Sequence, residues 1–160
     1  MFSASEIFDL AIQIEENGER FYRQALAGLA DQSLREMLFW LANEEAAHRD
    51  CFLKMKKSAP KSGSEDWAEQ VSGAMLKSSM QDHLFSLDEV DLASSKDLST
   101  LLATALELEQ DSVMFYEIIA SFVTKPDILT QLNAIIAEEQ KHIETLKERQ
   151  EALLEPAVPQ

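Results

Sequence analysis

Several things are scarce in this sequence. Its 160 residues contain a single cysteine, Cys51. That excludes an intramolecular disulfide framework, a cysteine-rich zinc ribbon and a CxxC redox pair. Glycine and proline number four each, too few for the many tight turns of an all-β fold. Basic residues number 14 against 29 acidic ones, giving a formal charge of −15. Phosphate backbones need positive surface, so no nucleic-acid partner is expected. An anionic membrane would repel the chain in the same way. No apolar run approaches the roughly 18–20 residues of a transmembrane helix. The opening MFSASEIFDLAIQIEENG has no basic stretch leading into an apolar one, so a cytoplasmic protein is expected. Apolar residues, at 46%, are plentiful enough for a core.

Four long segments carry helical periodicity. The first spans about Ala4 to Leu29, with Ser3 and Glu6 at capping-box spacing. Its stripe is Ile7, Ala11, Ile14, Gly18, Phe21 and Ala25. The second spans about Leu34 to Lys57, with Ser33 and Glu36 at the same capping spacing. The third spans about Asp97 to Val123, with Ser94 and Ser95 as cap candidates. The fourth runs from Pro126, a favoured first-turn residue, to about Leu154. Residues 58–96 are serine-rich and polar, with room for a short helix over about Asp66–Met80. The expected fold is all-α: an antiparallel four-helix bundle of two similar hairpins joined by a long crossover. One domain covers 1–160, with hairpin one at 4–57, crossover at 58–96, hairpin two at 97–154 and a tail at 155–160.

The chain also repeats itself. AIQIEENGERFY (11–22) aligns with ALELEQDSVMFY (105–116) at a shift of 94. LREMLFWLANEEAAH (34–48) aligns with ILTQLNAIIAEEQKH (128–142) at the same shift, without a gap. Two amphipathic hairpins resemble each other in apolar positions by composition alone. Composition does not explain polar matches inside the apolar stripes. Glu15 lies between Phe8 and Tyr22 at seven-residue spacing, and Glu109 lies likewise between Leu102 and Tyr116. Glu45 and His48 hold core places between Leu41 and Phe52, and Glu139 and His142 do so between Ile135 and Leu146. Each hairpin thus aims one lone Glu and one Glu-x-x-His pair inward. Each Glu also falls near the midpoint of its helix, so four carboxylates meet at one height.

Four carboxylates cannot stay ionised together in a dry core. Two divalent cations would neutralise them, with two neutral imidazoles completing the set. Positions three apart share a helix face, so each Glu-x-x-His can reach one metal region. Mixed carboxylate and imidazole donors suit iron or manganese and tolerate zinc.

This pattern resembles the ferritin-like di-iron carboxylate bundles, and most closely their rubrerythrin-like branch. The resemblance covers both hairpins. It implies Glu15, Glu45, His48, Glu109, Glu139 and His142 as ligands of two metal ions, iron first, with Glu45 and Glu139 bridging. It implies a redox reaction of Fe(II) with hydrogen peroxide or O2, as a peroxidase or ferroxidase. A non-catalytic metal-binding or structural protein, loaded with zinc, is the alternative. Two features depart from the rubrerythrin pattern. One cysteine cannot build a rubredoxin-like four-cysteine iron site, so an external electron-donor protein is implied. The family's extra Glu, three residues after the third-helix ligand, is Ser112 here.

Tyr22 and Tyr116 are either core aromatics or donors to the ligand carboxylates. Glu44 and Glu138 sit about 100° off the ligand column and read as solvated. Gly18 and Ser112 match in the repeat as small residues that permit close approach. Cys51 reads as a buried inert thiol, and His83 as a surface residue of the crossover. Long amphipathic helices often pair, so a homodimer is expected.

Overall fold

A computed structural model describes residues 2–59, 65–78 and 97–154. Five helices account for nearly all of them, and no strand occurs among the described residues. They are α1 (Ala4–Leu26), α2 (Gln32–Ser58), α3 (Asp66–Ser78), α4 (Leu98–Phe122) and α5 (Pro126–Leu154). His83 and the tail lie outside the described residues, as do residues 79–80 of the expected short helix. No helix among the described residues is long and apolar enough to cross a membrane.

Helix ends are set by local hydrogen bonds. The Ser3–Glu6 capping box forms as expected. Elsewhere the caps differ from the expected ones. α2 begins earlier, at Gln32, because the Asp31 carboxylate accepts from the Leu34 N–H at 3.0 Å. The Ser33 hydroxyl bonds Arg149 instead. α4 is capped by Asp97, whose carboxylate accepts from the Ser99 N–H and the Thr100 hydroxyl, both at 3.0 Å. The serines 94 and 95 lie outside the described residues. α1 stops at Leu26 rather than Leu29, since Arg35 donates to the carbonyls of Leu26 and Leu29 and closes the turn. Such a long-range cap satisfies the orphan carbonyls of a helix end and leaves no mark on local periodicity.

Side-chain pairs fix the directions of the helices. α1 and α2 run antiparallel through the short loop 27–31, and α4 and α5 through 123–125. Between hairpins, Tyr22 meets Glu109 while Tyr116 meets Glu15, so α1 and α4 are antiparallel. α2 and α5 are antiparallel too, since Cys51 meets Gln131 while Ser33 meets Arg149.

Two apolar clusters fill the interior, one at each end. One holds Ile7, Phe8, Phe52, Phe115, Ile119 and Leu132. The other holds Phe21, Leu34, Leu38, Leu41, Leu102 and Leu146. α3 closes the first end: Trp67, Val71 and Met75 are buried, and the Trp67 ring lies 5.8 Å from that of Phe8. Burying these side chains contributes about 1.5–3 kcal/mol each, which holds the bundle shut on both sides of the polar level between them.

Candidate metal centre

Glu15, Glu45, His48, Glu109, Glu139 and His142 lie between the two apolar clusters. All six are 0–3% exposed. They fall on four helices because the repeated stripes place one Glu on α1 and α4 and one Glu-x-x-His on α2 and α5. The structure resolves them into two overlapping groups. Ligand atoms of Glu15, Glu45, His48 and Glu139 lie within 4.8 Å of one another, and so do those of Glu45, Glu109, Glu139 and His142. Glu45 and Glu139 belong to both groups.

Both imidazoles turn Nδ1 inward. Nδ1 of His48 lies 2.9 Å from Glu139 Oε1 and 3.7 Å from Glu15 Oε1. Nδ1 of His142 lies 3.1 Å from Glu139 Oε2, 3.5 Å from Glu45 Oε1 and 3.6 Å from Glu109 Oε1. The two rings stack at 5.9 Å.

The tyrosines cross between hairpins. The Tyr22 hydroxyl donates to Glu109 Oε1 at 2.7 Å, and the Tyr116 hydroxyl donates to Glu15 Oε1 at 2.6 Å. Burial and the neighbouring carboxylates push both phenols well above their usual range, so they remain donors. Each leaves one carboxylate oxygen, Oε2 of Glu15 and of Glu109, buried without a hydrogen-bond partner.

Charge is distributed unevenly over the cluster. Burial, and then the charge of Glu139, raise Glu15 well above a normal carboxylic acid. Burial and the other carboxylates raise Glu45 in the same way. Burial and Glu139 lift Glu109 to about 8. Glu139 is the exception. Burial works against its ionisation, but hydrogen bonds with Glu109, His142 and His48 outweigh burial and hold it well below the usual value. Desolvation likewise disfavours charge on the histidines, but the facing carboxylates overcome it and raise His48 to about 10 and His142 to about 12. Without metal, protons therefore do the work of cations.

This donor set fits divalent metal. Buried, unpartnered atoms are uncommon and need a cause. Three carboxylate oxygens here, on Glu15, Glu45 and Glu109, have no partner. Gly18 supplies the space the centre needs: a Cβ at that position would lie 2.9 Å from Glu45 Oε2. Its repeat mate Ser112 turns its hydroxyl to the Leu108 carbonyl at 2.9 Å and brings no charge.

Some residues depart from their expected roles. Glu138, expected on a solvated face, is half-exposed but accepts a 2.5 Å hydrogen bond from His48 Nε2. Glu44 joins His48 and Glu138 in one outer group. The repetition of both Glu-Glu-x-x-His runs was the available signal. Asn17 is buried beside Arg20, which donates to its Oδ1 at 2.5 Å; nothing in the apolar pattern marked it. Cys51 is partly exposed rather than buried, and it donates weakly to Gln131 at 3.5 Å. Partial burial still raises its thiol.

The Rubrerythrin family model matches residues 6–149. A crystal structure from Thermotoga maritima, described as a ferritin-like diiron-carboxylate protein, superposes with a TM-score of 0.67 at 23% identity. The match covers 94% of this chain and 95% of that one, which shows a shared all-α, ferritin-like bundle. A search of curated proteins returned no match.

Proposed function

We propose a function on one premise: the chain belongs to the rubrerythrin family. Glu15, Glu45, His48, Glu109, Glu139 and His142 hold two metal ions, and iron is the first choice over manganese and zinc. Glu15 and His48 would serve one ion, and Glu109 and His142 the other, with Glu45 and Glu139 available to both. The observation that carries this reading is the sharing of Glu45 and Glu139 between two buried four-residue groups.

Bound iron would supply two electrons, one from each ion, to reduce hydrogen peroxide to two waters with two protons. The chain contributes the rest. Tyr22 and Tyr116 hold the outer carboxylates in place, and the apolar clusters above and below keep bulk water out. Within these residues one cysteine cannot form a four-cysteine iron site, so reducing equivalents come from an external donor protein. The neighbouring exposed aromatics Phe39 and Trp40 on α2 support pairing into a homodimer.

Anaerobic protein given two Fe(II) per chain should be oxidised by half that amount of peroxide, faster than Fe(II) in buffer. Oxidation no faster than in buffer would overturn the redox reading. The second reading, a zinc-filled protein without turnover, draws on Ser112, which offers no carboxylate where rubrerythrins carry a further Glu. Zinc alone in protein purified without added metal would favour it.

Gly18→Ala separates the centre from the fold. Alanine in a helix interior is up to about 1 kcal/mol better than glycine, and the clash falls on the movable end of Glu45. The metal-free variant should melt no lower than the parent, while its metal affinity drops. Unchanged affinity in a metal titration would mean that Glu45 is not held as described.

A further inference from the structure

The two halves of the centre are alike inside and unlike outside. Both imidazoles present Nδ1 to the carboxylates, but their Nε2 atoms meet different surroundings. His48 Nε2 is bonded to the Glu138 carboxylate at 2.5 Å. His142 Nε2 is buried with no hydrogen-bond partner, and its ring packs nearly perpendicular to that of Trp40, with centroids 5.1 Å apart.

The repeat would place Glu44 behind His142 as Glu138 stands behind His48. Instead, Glu44 groups with His48 and Glu138. The asymmetry follows from the residue one turn earlier on each helix. That residue is Trp40 before Glu44, and Ala134 before Glu138. The indole packs against the His142 ring, whereas the alanine at the matching position sets no ring beside His48.

We infer that Glu138 is a positioning residue for His48, and that it makes the Glu15–His48 half the tighter of two unequal metal positions. This rests on the ligand assignment proposed above. A histidine that donates its outer N–H to a carboxylate has its tautomer fixed, with the inner nitrogen bearing the lone pair. The ring is also held in place before metal arrives. His142 has neither aid, and its buried N–H stays unpaired when Nδ1 binds metal, which costs free energy.

Co(II) is a suitable probe, read by its visible absorption and by calorimetry. Wild type should take up two ions in separable steps. His142→Ala should keep the tighter step and His48→Ala the weaker one. Glu138→Ala should weaken binding about 10–100-fold in the His142→Ala background and leave it unchanged in the His48→Ala background. Glu138→Gln, whose amide oxygen still accepts from Nε2–H, should restore part of the loss. Glu44→Gln should change neither step. If the histidine variants fail to fold, Glu138→Ala alone should bring the two wild-type steps together.

Unchanged steps in Glu138→Ala, or equal weakening of both, would overturn the inference. So would a third ion lost in both Glu44→Gln and Glu138→Ala, which would make the outer group a metal site. Wild type that fails to bind two ions would refute the ligand assignment itself, and this inference with it.

Discussion

Replacing Glu45 and Glu139 together by Gln is expected to take bound metal from two ions per chain to none, with helix content unchanged. Each of these carboxylates belongs to both ligand groups, so no half of the centre survives their loss. Glutamine keeps the volume and still accepts a hydrogen bond, but it cannot neutralise a divalent charge. Alanine at 139 would be a poorer test. Glu139 alone is strongly held in its ionised form, between both histidines. Removing the whole side chain would open a cavity and leave both imidazoles without their acceptor, and a folding defect would then mimic metal loss. Elemental analysis of the dialysed double variant, beside its circular dichroism spectrum, decides the matter. Two ions retained by a folded variant would contradict the ligand set.

Metal uptake is expected to release at least three protons per chain at neutral pH. Without metal, Glu109 lies at about 8, His48 at about 10 and His142 at about 12, so each holds a proton at pH 7. Glu15 and Glu45 are also raised and add to the release. Metal ligation needs all of them deprotonated. The same shifts set the pH dependence of the metal-free fold. Glu109 rises from 4.5 to about 8, so its contribution is full below 4.5 and is lost as pH climbs to about 8. His48 contributes fully below 6.5 and loses that contribution as pH rises through about 10. Glu139 has the opposite sign: its contribution is present above 4.5 and is lost as pH falls through its depressed value. The metal-free protein should therefore melt higher at about pH 5.5 than at about pH 8.5, and bound metal should remove most of that difference. An indicator-dye titration counts the protons. Release of clearly fewer than three would contradict the protonation described.

Much of this was legible in the sequence, for a physical reason. A buried charge has no cheap explanation, so Glu15, Glu45, Glu109 and Glu139 at core spacing stood out against their apolar neighbours. Their equal heights followed from helix rise alone. Helix periodicity tells which way a side chain faces, but not what it meets. The crossing of Tyr22 to Glu109 and of Tyr116 to Glu15 was therefore out of reach, though both rings were visible as members of the right stripe. Off the ligand column, Glu138 has the pattern of a solvated residue; its contact comes from His48 on the opposite hairpin reaching outward. The start of α2 lies two residues before the expected Leu34, where an aspartate, Asp31, outcompetes the expected serine. Arg35, which closes the end of α1 from nine residues away, belongs to the same class of long-range contact.

The central claim is that the buried groups sharing Glu45 and Glu139 hold two metal ions in one chain. Anaerobic titration of metal-free protein with Fe(II), with free and bound iron counted after separation, tests it most directly. Saturation at two ions per chain is the expected result. Saturation at one, or no binding above that of the Glu45→Gln, Glu139→Gln double variant, would contradict it.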